Sequence, residues 1–197
     1  ELSNLGHEIT MGFRKNSEIK EKIFKNFSKR EINWDCFDSI KEACTNKDIV
    51  IHTAGINSQE CCKDPFKAYK FNSLISGQLG LACHQKKVKV FIYLSTIHVY
   101  SDDIVGTINE NSKTLATDFY TKSKILAENI FYDLSDLNNT KFIILRLSNV
   151  FGKPFSKNSN CWKLFINNIC QEAIIKQTIT INSNPLIKRN FISIEFF

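Results

Sequence analysis

The chain has 197 residues, 43% apolar and 23% charged, enough apolar material for one ordinary domain and too much for a disordered polyelectrolyte. Lys and Arg total 26 against 20 Asp and Glu, a net charge of +6 that suits an anionic small ligand. The charge is dispersed, and no block of like charge marks a nucleic-acid tail. The longest apolar runs, such as Val90 to Leu94, fall far short of a membrane span, and no basic-then-apolar leader opens the chain. The seven cysteines are odd in number, Cys61 and Cys62 are adjacent, and no CxxC pair occurs. That usage fits a reduced, cytoplasmic protein with buried thiols better than a disulfide or zinc scaffold. The chain opens at Glu1 and stops at Phe196-Phe197 after an apolar stretch, so both ends read as cut from something longer.

In chain order, Glu8 to Phe13 reads as a strand after a Leu5-Gly6 helix stop. Ser17 to Arg30 carries Ile19, Ile23, Phe24 and Phe27 at helical spacing. Glu31 to Trp34 reads as a short strand and Phe37 to Thr45 as a short helix. Asp48 to Thr53 is a buried-type strand ended by Ala54-Gly55. A long helix is predicted from Pro65, in its first turn, to Gln85. Val88 to Ser95 is a second apolar strand. Asp118 to Leu134 is a predicted helix, Lys141 to Leu147 a strand, Cys161 to Lys176 a helix and Thr178 to Ile181 a short strand. The stretches 106–117 and 152–160 read as polar loops. Apolar strands alternating with helices predict an α/β fold with a parallel sheet covered on both faces.

Tyr120 and Lys124 stand at i and i+4 of a predicted helix and share a face. A lysine beside a phenol favours the phenolate and lowers its pKa, which would suit Tyr120 to general acid–base work. That spacing alone also fits a surface pair. Ser95 and Thr96 end an apolar strand, where a hydroxyl can hydrogen-bond a substrate oxygen. Ile51-His52-Thr53-Ala54-Gly55 ends the preceding strand in small residues that admit a ligand to the backbone. Arg146 to Pro154 is a strand end followed by a Gly/Pro turn.

These four segments, in this order, resemble the extended short-chain dehydrogenase/reductase superfamily, in its NAD(P)-dependent epimerase/dehydratase branch. Leu5 to Ile9 resembles the end of that family's first helix and its second strand, Ser95 to Tyr100 its Ser/Thr-x-x-Val-Tyr segment, and Arg189 to Ile192 its Arg-Asp-Phe-Ile segment. The resemblance implies a Rossmann-like doubly wound parallel sheet. Residues 1–160 would be a partial NAD(P)-binding domain and 161–197 the start of a substrate-binding region.

The resemblance also implies roles. Tyr120 would exchange a proton with the substrate oxygen. Lys124 would hold the nicotinamide ribose and depress the Tyr120 pKa, and Thr96, or less favourably Ser95, would hydrogen-bond that same oxygen. Ala54 and Gly55 would line the cofactor path, Asn72 would support the site, and Asn149 would lie near nicotinamide or substrate. Arg14 stands where NAD users carry an acid, with Lys15 beside it, which leans toward NADP over NAD; Asp35 would contact adenine. The substrate class would be a nucleotide-activated sugar, and a homodimer would pair the helix of Tyr120 and the helix after Pro65.

Two departures narrow the reading. The family's first strand and GxxGxxG phosphate loop would precede Leu5 and are not in these residues, so the sheet is expected to be incomplete and the chain a fragment. Family 4,6-dehydratases carry Asp-Glu directly after the active-site Thr, whereas this chain has Ile97 and His98, which favours a 4-epimerase or keto-reductase. His98 reads as a satisfied structural histidine, and Trp162, Phe165 and Ile169 as core packing. The competing reading is a non-catalytic dinucleotide-binding or regulatory protein on the same fold.

Overall fold

The apolar runs around Val50 and Phe91 become the sheet on which the molecule is built. A computed structural model describes residues 2–14, 24, 27–100, 106–154, 161–162, 164–181 and 188–196. The strands are β1 (Thr10–Arg14), β2 (Ser28–Ile32), β3 (Ile49–His52), β4 (Val90–Thr96), β5 (Lys141–Leu147), β6 (Asn149–Phe151) and β7 (Phe191–Ser193). The helices are α1 (Phe37–Ala43), α2 (Ser58–Lys63), α3 (Pro65–Ala68), α4 (Ser76–Gln85), α5 (Phe119–Ser135) and α6 (Phe165–Lys176), with a π-helical segment over Tyr69–Ile75 between α3 and α4. The chain divides into two compact units, Glu1–Arg146 and Leu147–Phe197. Among the described residues no helix is long and apolar enough to cross a membrane.

In the first unit β1 pairs with β2 in parallel, and a three-stranded sheet has the order β3-β4-β5. β3 and β4 are parallel, with Val50 opposite Phe91 and His52 opposite Tyr93. This is the expected Rossmann-like α/β pattern, in small sheets. The core lies where α1, α4 and α5 cover the sheet: Ile40, Leu79, Ala82, Phe91, Tyr93, Ala127 and Phe131 are buried together. The Phe131 ring sits 4.8 Å from that of Tyr93 and 5.0 Å from that of Phe91. α4 approaches α5 closely because Gly80 has no side chain; a Cβ there would meet the Phe131 ring at 2.9 Å.

The helix predicted from Pro65 to Gln85 forms, and Asp64 caps its start by accepting from Lys67 N–H at 2.9 Å. It is not uniform: its middle widens into the π segment that carries Asn72. α5 opens with a capping box, in which Asp118 accepts from Thr121 N–H and Thr121 accepts from Asp118 N–H.

Two expectations need correction. Residues 28–30 continue β2 and are not helical; the rest of the predicted 17–30 helix falls mostly outside the described residues. Among the described residues Thr178 to Ile181 forms no strand: it has no ladder partner there, and its isoleucines are exposed. In the second unit it is β6 and β7 that pair, in parallel, with Asn149 opposite Phe191.

Candidate functional site

β4 ends in Ser95 and Thr96, and α5 runs antiparallel to it. Phe131 meets Phe91 and Tyr93, whereas Lys124, further toward the start of α5, donates to the Leu94 carbonyl at 3.0 Å. Tyr120, one turn earlier still, therefore lies at the Thr96 end of β4. Thr96 is buried, and its hydroxyl accepts from His98 N–H at 3.3 Å. His98 is itself exposed, so it is not the satisfied structural histidine expected from sequence.

Lys124 is only 6% exposed. Its ammonium lies 4.7 Å from the centre of the Tyr93 ring and 5.9 Å from that of Tyr120. Burial pulls the ammonium down to about 8, against the opposing pull of Cys61 and Glu128. The phenol of Tyr120 is raised above its usual value, chiefly by burial and then by Cys61 and Asp118. The expected depression of Tyr120 by Lys124 is thus not what this geometry produces. The lysine is turned to Leu94 and the ring faces, so burial decides the direction.

Asn72 is wired from the π segment to both sides of the site. Its Oδ1 accepts from Ile56 N–H at 2.7 Å, and its Nδ2 donates to the Ile56 carbonyl and to Ser123 Oγ, each at 3.1 Å. Ser123 in turn donates to the Tyr120 carbonyl at 2.7 Å. One amide therefore fixes the loop after β3 against the first turn of α5. Gly55 lies between them: a Cβ there would meet Asn72 Oδ1 at 3.4 Å and Lys124 Nζ at 3.6 Å. Ala54 precedes it and also borders a groove of about 420 Å³ beside β1 and β3.

Below the site, Ser95 donates to Glu128, which is paired with Arg146 at 2.7 Å. Arg146 also donates to the Tyr100 hydroxyl at 2.8 Å, which donates onward to the Asn109 carbonyl at 2.9 Å. Ser95 is thus committed to a buried carboxylate, while among the described residues the Thr96 hydroxyl has only its contact with His98. Sequence reading missed Glu128 and Ser123. The signal for Glu128 was its spacing, four residues beyond Lys124 and eight beyond Tyr120 on the same helical face. His52 is fully covered and held down at about 3 by burial and by Lys124. The Ser76 proton goes to the Phe71 carbonyl, so His52 Nε2 is the donor to Ser76, at 2.8 Å.

Arg14 and Asp35, in the same unit, do not join this cluster. Arg14 ends β1 and is exposed. Asp35 follows β2, and its carboxylate is paired with Lys70 at 2.6 Å. Asn149 belongs to the second unit, where its side-chain amide donates to the Asn190 carbonyl at 2.9 Å. There it borders a cavity of about 520 Å³ with Phe165, Phe191 and Arg189. Phe165 and Ile169 line that cavity, a correction to the core role expected of them.

Gly55 stands next to a buried amine and a buried amide, and a Cβ there would make ordinary contact with both. A model of the NAD dependent epimerase/dehydratase family matches residues 1–195. The dTDP-D-glucose 4,6-dehydratase of Dictyostelium discoideum is 30% identical over 146 residues, 68% of this chain and 33% of that protein. The D-erythronate dehydrogenase of Haemophilus influenzae is 24% identical over 128 residues, 64% of this chain and 40% of that protein. The solved UDP-glucose 4-epimerase of Thermotoga maritima, with UDP-glucose, superposes with a TM-score of 0.82 at 17% identity, covering 98% of this chain and 64% of that one. The chain thus spans well under half the length of these curated relatives.

Proposed function

The chain belongs to the NAD dependent epimerase/dehydratase family, and on that premise we propose that it forms the hydride-transfer part of an enzyme acting on a nucleotide-activated sugar. The observation that carries the reading is the buried Lys124, held with Tyr120 at the Thr96 end of β4 and beside Gly55. A nicotinamide cofactor, when bound, supplies the hydride acceptor and donor. Ala54, Gly55 and Lys124 would border it. The exposed Arg14 at the end of β1 supports a 2′-phosphate, hence NADP over NAD; Lys15 lies outside the described residues.

Tyr120 is the proton-transfer group. Its raised pKa keeps the phenol protonated at neutral pH, ready to donate to a developing alkoxide. Thr96 holds the same substrate oxygen, and Asn72 with Ser123 fixes the helix turn that presents Tyr120. Ile97, directly after Thr96, has no proton to give, which supports epimerisation or keto-reduction over water elimination. In the second unit, Arg189 and the rings of Phe165 and Phe191 suit an anionic group and a flat base. Exposed Leu74, Leu126 and Tyr132 support a homodimer through the long helix after Pro65 and α5.

The test is Tyr120→Phe in the enzyme turning over a nucleotide sugar. Turnover should fall about 10²- to 10⁴-fold with KM little changed. Retention of more than a few per cent of activity would remove the acid–base role. Deuterium on the oxidised carbon separates the two reactions: an epimerase returns it to the product, and a reductase takes hydride from added cofactor.

A further inference from the structure

We propose that Cys44 and Cys83 form a peroxide-sensitive dithiol that closes to a disulfide and ties α1 to α4. Cys44 stands just past the end of α1 and Cys83 near the end of α4. Their sulfurs are 3.6 Å apart in the core, and the residues are 1% and 0% exposed. A covalent S–S bond needs about 2.0 Å, so closure brings together two sulfurs that already touch. None of the seven cysteines is in a disulfide, and the residues from 44 to 83 include Ala54, Gly55 and Asn72. The bond would therefore close a loop around the β3 side of the site.

The two sulfurs are not equivalent. Cys44 donates to the Ile40 carbonyl at 3.4 Å, which leaves Cys83 as the donor to Cys44 sulfur. That hydrogen bond draws the Cys44 thiol below its usual range against the opposing effect of burial, with help from the nearby Lys86 ammonium, and the same pairing together with burial holds Cys83 well above it. Cys44 is the attacking thiolate and Cys83 the resolving thiol.

The chemistry balances with hydrogen peroxide as oxidant. The Cys44 thiolate attacks one peroxide oxygen; an S–O bond forms, the O–O bond breaks, and the released hydroxide takes a proton to leave as water. Cys83 sulfur then attacks the Cys44 sulfur; the S–S bond forms, the S–O bond breaks, and the second hydroxide leaves as water with the Cys83 proton. Each sulfur gives one electron and the peroxide accepts two.

The experiment exposes the full chain to hydrogen peroxide, then unfolds it in N-ethylmaleimide and digests it without reduction. A Cys44–Cys83 cross-linked peptide should appear, and dithiothreitol should abolish it. Its yield should exceed that from urea-unfolded chain by about tenfold or more. Cys44→Ser and Cys83→Ala should each abolish the cross-link while exposed Cys36, Cys62 and Cys170 still oxidise. Oxidation of those exposed thiols with no Cys44–Cys83 peptide in the wild-type chain overturns the proposal. So does an equal yield from folded and unfolded chain. The wild-type comparison decides the matter even if a variant fails to fold.

Discussion

The two long sides of the β3-β4-β5 sheet region differ in how their side chains are partnered within these residues. Toward α5, polar groups are buried and almost all partnered: Lys124 on Leu94, Ser95 on Glu128, Glu128 on Arg146, Asn72 on Ile56 and Ser123. Toward β1, β3 carries apolar side chains with no partner strand among the described residues: Ile49 and Ile51 are 51% and 45% exposed beside the groove, as in an inner strand of an incomplete sheet. Precision is concentrated on the side that carries Thr96, Tyr120 and Lys124. A hydrogen-bonded network fixes side-chain positions more narrowly than apolar contact does, because each partner has a direction.

The largest way to break that asymmetry is Arg146→Met. Glu128, whose side chain is 2% exposed, would be left as an uncompensated buried charge. Unfolding free energy should fall by about 3–5 kcal/mol in urea titration. Adding Glu128→Leu to Arg146→Met removes that orphan charge and should recover more than half of the loss. If the double variant is no more stable than the single one, the pair holds the fold through packing and its charge is incidental.

The second prediction concerns Lys124, whose ammonium burial draws down to about 8. An unfolded lysine titrates near 10.4. Between these values the unfolded chain holds the proton and the folded chain does not. The penalty is therefore present in full below about pH 8 and is relieved as pH rises toward 10.5, by up to about 3 kcal/mol. Lys124→Met should be more stable than wild type at pH 7, and the gap should close by pH 10.5. Tyrosine ionisation acts on both chains and cancels in the difference. A gap that stays constant with pH would mean that the amine is solvated in solution.

How much of this was legible in the sequence depended on what each signal measures. The apolar runs of β3 and β4 and the Asp118 cap of α5 were readable because local pattern and tertiary role agree there. β2 was missed over Ser28 to Arg30 because those residues are exposed, and only Ile32 in that strand is buried. Thr178 to Ile181 has β-branched residues but no neighbouring strand among the described residues, and such propensity expresses packing rather than an intrinsic choice. The i, i+4 spacing placed Tyr120 and Lys124 on one face, but it did not determine where the ammonium points. The Leu94 carbonyl and the Tyr93 ring set that direction, and both come from β4. Asn72, by contrast, was legible only through the resemblance; its π segment and its bonds to Ser123 have no local signature.

The smallest expected effect tests the open side. Ile51 pairs with Ile92 across the β3–β4 ladder, and its side chain looks into the groove at 45% exposure. Ile51→Thr keeps the β-branched shape, so the strand geometry should persist. What is lost is the transfer energy of a side chain already half in water. Fully burying such a group contributes about 1.5–3 kcal/mol, so the loss here should be below about 1 kcal/mol. The measurement is the urea midpoint of Ile51→Thr against wild type at equal m-value. A loss above about 2 kcal/mol would place Ile51 in a covered site in solution, because only a fully buried isoleucine loses that much. The outer side of β3 would then be a second core, and the contrast with the α5 side would be one of chemistry alone, with both sides equally enclosed.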